Sequence, residues 1–171
     1  LRRLWALPGF QGMEHRIGGL EKEDGSGNVS HDPANHERMV RIRAEKVERI
    51  ANDIPEAQVE GEPSGDLLMI SWGSTYGAAK TAFEKLRVRG QKLSHVHLRH
   101  LNPFPKNLGD ILKRFKRVVV PELNSGQLKW LLQARYLKPV IGIGKVQGKP
   151  FKSVELENEL KALLMKDEVL V

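Results

Sequence analysis

From Asp66 onward the chain alternates short apolar runs with longer amphipathic stretches, and this alternation limits the fold more than any other feature. Leu67-Leu68-Met69-Ile70-Ser71-Trp72 is an apolar run of buried-strand type, and Gly73-Ser74 turns it directly into a helix pattern. In that helix Tyr76, Ala79, Phe83 and Leu86 recur on one face until Gly90. Leu93 to Leu98 reads as the next strand, followed by the stiff loop Asn102-Pro103-Phe104-Pro105. Leu108, Ile111, Leu112 and Phe115 mark a helix with Asn107 as its cap. Arg117-Val118-Val119-Val120-Pro121 is β-branched at its centre and reads as a third strand. Asn124-Ser125-Gly126 opens a helix with Leu128, Leu131, Leu132 and Tyr136 facing inward; Pro139 to Gly144 is a fourth strand. A last helix runs from Ser153 to Met165 on Leu156, Leu160, Leu163 and Leu164. Strands separated by helices of such length demand right-handed crossovers. The expected fold class is therefore α/β, a mainly parallel sheet with helices on both faces.

The first third of the chain breaks this rule. Gly12 to Arg43 has no period-2 alternation, and Gly18, Gly19, Gly25, Gly27, Asp24, Asn28 and Pro33 interrupt any regular element. Asp32 is a plausible N-cap with Pro33 at the first helical position. Val40, Ala44, Val47, Ala51 and Ile54 then trace one apolar stripe until Pro55 stops it. The expected organisation is an irregular arm over 1–31, a linker helix over 32–54, a Pro/Gly/Glu linker over 55–65 and an α/β domain over 66–171. A polar arm in front of a compact unit suits a chain that wraps a partner. The chain does not start with Met, and we expect it to begin inside a longer polypeptide.

Composition narrows the function classes. With no cysteine, the chain offers no disulfide, no thiolate for zinc or iron–sulfur ligation and no Cys nucleophile. No apolar run approaches the ~20 residues of a membrane span, and the apolar part of LRRLWALPGF is too short for a signal peptide. The expected compartment is a reducing cytoplasm. A net charge of +7 could attract an acidic partner. However, Lys85-Arg87-Arg89-Lys92 and Lys113-Arg114-Lys116-Arg117 fall at predicted helix C-termini, where cations complement the helix dipole. No stacking aromatics are interleaved with them, so the pattern argues against nucleic acid.

Two strand-to-helix turns are the candidate site. Trp72-Gly73-Ser74-Thr75 and Glu122-Leu123-Asn124-Ser125-Gly126-Gln127 each sit where a strand's carboxyl end meets a helix start, the usual ligand crevice of an open α/β sheet. Gly73 and Ser74 could equally be a tight turn and a cap. Asn124 or Ser125 could likewise be only a cap, and Glu122 a first-turn acid. His95 and His97 project to one strand face, with His100 nearby, but no carboxylate at matching spacing completes a metal set, so none is expected. There is no GxSxG, no HExxH and no paired-carboxylate motif. We expect no catalytic residue in this chain.

The arm GMEHRIGGLEKEDGSGNVSHDPANHERMVRIRAEKV resembles the alpha subunits of 2-oxoacid:ferredoxin (acceptor) oxidoreductases, most closely the 2-oxoglutarate type. The likeness rests on Gly12, Glu14-His15, Asp32-Pro33, Asn35-His36, Met39 and the Arg43 to Lys46 stretch. Trp72-Gly73-Ser74, Asn102-Pro103-Phe104-Pro105 and Pro121-Glu122-Leu123-Asn124-Ser125-Gly126-Gln127-Leu128 carry it along the chain. The resemblance implies a domain similar to the C-terminal domain of transketolase, preceded in the full subunit by a further domain. It also implies oxidative decarboxylation of a 2-oxoacid to an acyl-CoA. Thiamine diphosphate, Mg and a 4Fe–4S cluster would lie on a partner beta subunit, coenzyme A would be a co-substrate, and ferredoxin would be reached through the complex. On that reading this chain binds no cofactor itself, and Gly73, Ser74, Glu122, Asn124, Gly126 and Gln127 are candidates for interface or channel contacts. The alternative is an autonomous nucleotide- or phosphometabolite-binding module.

Overall fold

The computed structural model describes residues 5–15 and 17–165. Arg2 and Arg3 of the opening stretch and the last six residues of the expected α/β domain lie outside the described residues. The chain divides into two compact units, Leu1–Asp53 and Ile54–Val171.

The second unit is a four-stranded, fully parallel sheet in the order β2-β1-β3-β4, formed by β1 (Gly65–Trp72), β2 (Ser94–Leu98), β3 (Phe115–Glu122) and β4 (Ile141–Gly144). Both faces are covered, as the apolar runs require. Leu68, Ile70, Val96, Leu98, Val118 and Val120 pack against α3 (Leu108–Lys113) and α4 (Gln127–Tyr136). Leu67, Met69 and Val119 pack on the other face against α2 (Tyr76–Val88) and α5 (Ser153–Met165). Glu157 of α5, itself buried, reaches Lys85 at 3.0 Å and Arg89 at 3.2 Å across to α2. The Lys85 hydrogen bond holds its carboxyl below the usual carboxylate range. The expected fold class is the one observed.

Several local expectations need correction. Asn107 does not cap α3: its side chain accepts from Ala57 N at 2.9 Å and donates to Ala57 O at 2.9 Å. That pair satisfies both the N–H and the C=O of Ala57 in the linker, and backbone groups of this kind need partners when they leave water. Leu131 is half exposed, because Leu128, Leu132 and Tyr136 form the row that meets the sheet and Leu131 lies about 100° off it. Tyr76 is 43% exposed, at the rim of its helix rather than under it. β3 and β4 also differ from the sequence bounds: β3 runs two residues further back and one further on, and β4 begins only at Ile141.

The first unit contains α1 (Pro33–Arg49), and no described residue in it is buried. Asp32 accepts from Ala34 N at 3.1 Å and Asn35 N at 3.3 Å, the cap its sequence position suggests. Val40 and Ala44 of the expected stripe are exposed. The arm was expected to lack regular structure, yet Lys22 and Val29 form an antiparallel bridge closed by Glu23 N donating to Asn28 O at 2.8 Å. Carboxylates tie this loop to α1. Glu21 accepts from both Arg43 nitrogens at 3.0 and 3.2 Å and lies 2.8 Å from His36 Nδ1, while Asp24 pairs with Arg38. The Arg43 hydrogen bonds draw the Glu21 pKa down to about 2.

Candidate functional site

The sheet order decides where a site can lie. From β1 the chain moves outward to β2 over the face of α2; from β3 it moves outward to β4 over the face of α4. The direction of winding therefore reverses between β1 and β3, which are neighbours. A crevice opens at the carboxyl ends of such a strand pair. The two turns singled out from the sequence follow these two strands, so the topology brings them to one edge.

Each turn is built differently. After β1, Gly73 takes φ +55°, and Thr75 rather than Ser74 supplies the stabilising hydroxyl. Its Oγ1 accepts from Trp72 N at 3.2 Å and donates to Trp72 O at 2.7 Å. Gly73 and Ser74 are exposed, and the indole Nε1 of Trp72 is enclosed without a hydrogen-bond partner among the described residues. After β3, Glu122 is 1% exposed and both its oxygens are spent on α4, accepting from Leu128 N at 2.8 Å and Lys129 N at 2.9 Å. A carboxylate on free helix amides is favoured twice, by hydrogen bonding and by the helix dipole. Asn124 Oδ1 accepts from Gly126 N at 2.7 Å and Gln127 N at 3.0 Å. Gly126, at φ +99°, makes this turn possible. Glu122 and Asn124 thus hold the loop in shape; Gln127 and Ser125 are exposed at its surface.

A second polar cluster lies beside this edge, and no motif search would find it. Ser71 Oγ sits 2.8 Å from His95 Nε2 and 2.9 Å from His97 Nδ1. Ser71 and His95 are fully buried, and His97 is partly exposed under the Tyr76 ring, 4.5 Å away between centroids. Glu60, paired with Lys80, lies 3.8 Å from His95 Nδ1. Burial pushes the His95 pKa down to about 4, against the pull of Glu60; burial and Arg99 lower that of His97. The signal available in the sequence was the alternation of His95 and His97 on one strand face, without any hint of Ser71 or Glu60.

The family model described as pyruvate:ferredoxin oxidoreductase core domain II matches residues 65–152, just over half of the chain. The chain belongs to this family. Its core domain II comprises β1 to β4 with both candidate turns. The 2-oxoglutarate oxidoreductase subunit KorA of Mycobacterium tuberculosis is 48% identical over 166 residues, covering 96% of this chain and 25% of that protein. The chain thus spans about a quarter of the length of this relative. A solved 2-oxoglutarate:ferredoxin oxidoreductase from Magnetococcus marinus, with 2-oxoglutarate, coenzyme A and succinyl-CoA bound, superposes with a TM-score of 0.83 at 31% identity. That match covers 93% of this chain and 28% of the other. A split-gene transketolase superposes with a TM-score of 0.51 at 19% identity over 64% of this chain and 41% of its own, a likeness of fold alone. The core domain II fold is therefore transketolase-like, and no helix among the described residues is long and apolar enough to cross a membrane.

Proposed function

We propose that this chain is a section of the alpha subunit of a thiamine-diphosphate-dependent 2-oxoacid:ferredoxin oxidoreductase acting on 2-oxoglutarate. The observation that carries this reading is the 48% identity to the 2-oxoglutarate oxidoreductase subunit, which extends over 96% of the chain and so includes the arm as well as the α/β unit. The reaction is oxidative decarboxylation: the 2-oxoacid loses CO2, its acyl group passes to coenzyme A, and two electrons leave toward ferredoxin. The chain has no cysteine, so it supplies no thiolate for an iron–sulfur cluster. Among the described residues no three His, Asp or Glu side chains are grouped to hold a metal ion. In this proposal thiamine diphosphate, Mg and the cluster belong to a beta subunit in a cytoplasmic complex.

The contribution of this chain is then assembly. Glu122 and Asn124 stiffen the loop after β3, Gly73 and Gly126 let the two turns fold tightly, and Ser74 and Gln127 stand at the exposed rim as contacts for the partner or for the acyl-acceptor channel. A second reading, a nucleotide- or phosphometabolite-binding module, draws support from the position of both turns at the winding reversal.

The deciding experiment is capture of the chain from its native cells, followed by assay of the eluate for CoA-dependent viologen reduction with 2-oxoglutarate, pyruvate and a branched-chain 2-oxoacid. Activity with 2-oxoglutarate and a co-eluting iron–sulfur protein is expected, and the double variant Ser74→Arg, Gln127→Arg should reduce co-elution while the chain stays folded. A lone, inactive chain that binds nucleotide would overturn the assignment in favour of the binding module.

A further inference from the structure

The hydroxyl of Ser71 stands between two imidazoles, 2.8 Å from His95 Nε2 and 2.9 Å from His97 Nδ1. A hydroxyl has one proton and two acceptor lone pairs, so it donates to at most one of the two rings, and the other ring must donate to it. A neutral imidazole carries a single N–H, so fixing one nitrogen fixes its partner as well. The three groups consequently have three consistent arrangements. In one, His95 Nε2–H donates to Ser71, and Ser71 donates to His97. In the second, every hydrogen bond runs the opposite way. In the third, both rings donate to Ser71 and the hydroxyl proton points away from them.

The Glu60 end of this hydrogen-bonded series selects among them, because only the second places a proton on His95 Nδ1. His95 Nδ1 is enclosed and has no hydrogen-bond partner among the described residues, and the Glu60 carboxylate oxygen Oε2 lies 3.8 Å from it. Lys80 pairs with the same Glu60 carboxylate. A bare nitrogen lone pair facing a carboxylate is repelled, whereas an N–H in that position is attracted, and a carboxylate commonly sets a ring tautomer in this way. His95 therefore carries its proton on Nδ1, its Nε2 accepts from Ser71, and Ser71 accepts from His97 Nδ1–H. The lone pair of His97 Nε2 is left at the partly exposed end, under Tyr76 and near the cation of Arg99. Both rings are held below the ordinary histidine pKa, which keeps them in the neutral forms this ordering needs.

We propose that Glu60, His95 and Ser71 form a positioning relay that locks His97 as its Nδ1–H tautomer and presents His97 Nε2 as a hydrogen-bond acceptor at the carboxyl edge of the sheet. The group that docks there is a donor, an amide, hydroxyl or ammonium, and not an anion. This distinguishes the edge at His97 from the start of α4, whose backbone amides donate to Glu122 and Asn124. The relay does not depend on the enzyme assignment, because each step concerns groups within this chain.

The test is two-bond 1H–15N correlation of the imidazoles in the full 171-residue chain at neutral pH. In the wild type, His97 Nδ1 should resonate as a protonated, pyrrole-type nitrogen and Nε2 as an unprotonated, pyridine-type one. Ser71→Ala should return His97 to the Nε2–H form that free side chains prefer, while His95 keeps Nδ1–H. Glu60→Ala should release both rings. A protonated His97 Nε2 in the wild type would overturn the relay without any variant. So would a His97 signature unchanged in Ser71→Ala, a small truncation that a merely structural role would not register as a tautomer change.

Discussion

β1 and β3 bury apolar side chains on both faces of the sheet, whereas the described residues of 5–53 bury none and keep their loop and helix in register through carboxylates. The apolar unit can draw on area removed from water, about 25 cal/mol per Å2, which sums over many side chains. The polar unit relies on Glu21 with Arg43 and His36, Asp24 with Arg38, and the Asp32 cap, all at the surface. Exposed pairs contribute about 0–1 kcal/mol each, so such contacts choose one shape without making it durable. Trp5, Phe10 and Ile17 stand exposed in that region, 83%, 60% and 88% respectively. A specified shape with uncovered apolar side chains is what an assembly segment needs.

The sharpest way to test this contrast is to damage the apolar unit. Leu132 is fully buried between α4 and the sheet. Leu132→Ala should cost about 2–5 kcal/mol, seen as a lower denaturant midpoint, and a loss under 1 kcal/mol would mean that the core there is loosely packed. Acid is the next largest lever. His95 is neutral when folded, with its pKa pushed from 6.5 to about 4 by burial. The stability tied to that neutral form is complete above pH 6.5 and drains away as pH falls toward 4, by roughly 3 kcal/mol. Denaturant midpoints should decline across that window and flatten in His95→Gln; an unchanged slope would place the acid sensitivity elsewhere. The smallest effect belongs to the polar unit. Asp32→Ala should weaken α1 by about 1 kcal/mol, read as faster amide exchange in Ala34 and Asn35. The midpoint of the apolar unit should not move, and a parallel drop in both would erase the distinction between the two units.

The fold was largely legible in advance. The apolar runs at Leu67 to Trp72 and Arg117 to Pro121 announced strands buried on both sides, and the α2 spacing announced the helix between strands. These patterns are local, so the sequence displays them directly. The site was legible only as two turns. That Gly73-Ser74 and Asn124-Gln127 come to one edge depends on the order β2-β1-β3-β4, in which β1 and β3 become neighbours although their paired residues, such as Gly65 and Phe115, are 50 positions apart.

The same division holds side chain by side chain. Sequence alone determined the alternating architecture, the Asp32 cap and the lack of cysteine ligands, because periodicity, capping and composition act over a few residues. Tertiary structure alone decided that Asn107 serves Ala57 rather than its own helix, that Glu122 is sealed against the amides of α4, and that Ser71 links His95 to His97. A buried polar atom takes whatever partner the packing brings within about 3 Å, and that partner is set by strand order and helix docking rather than by its neighbours along the chain.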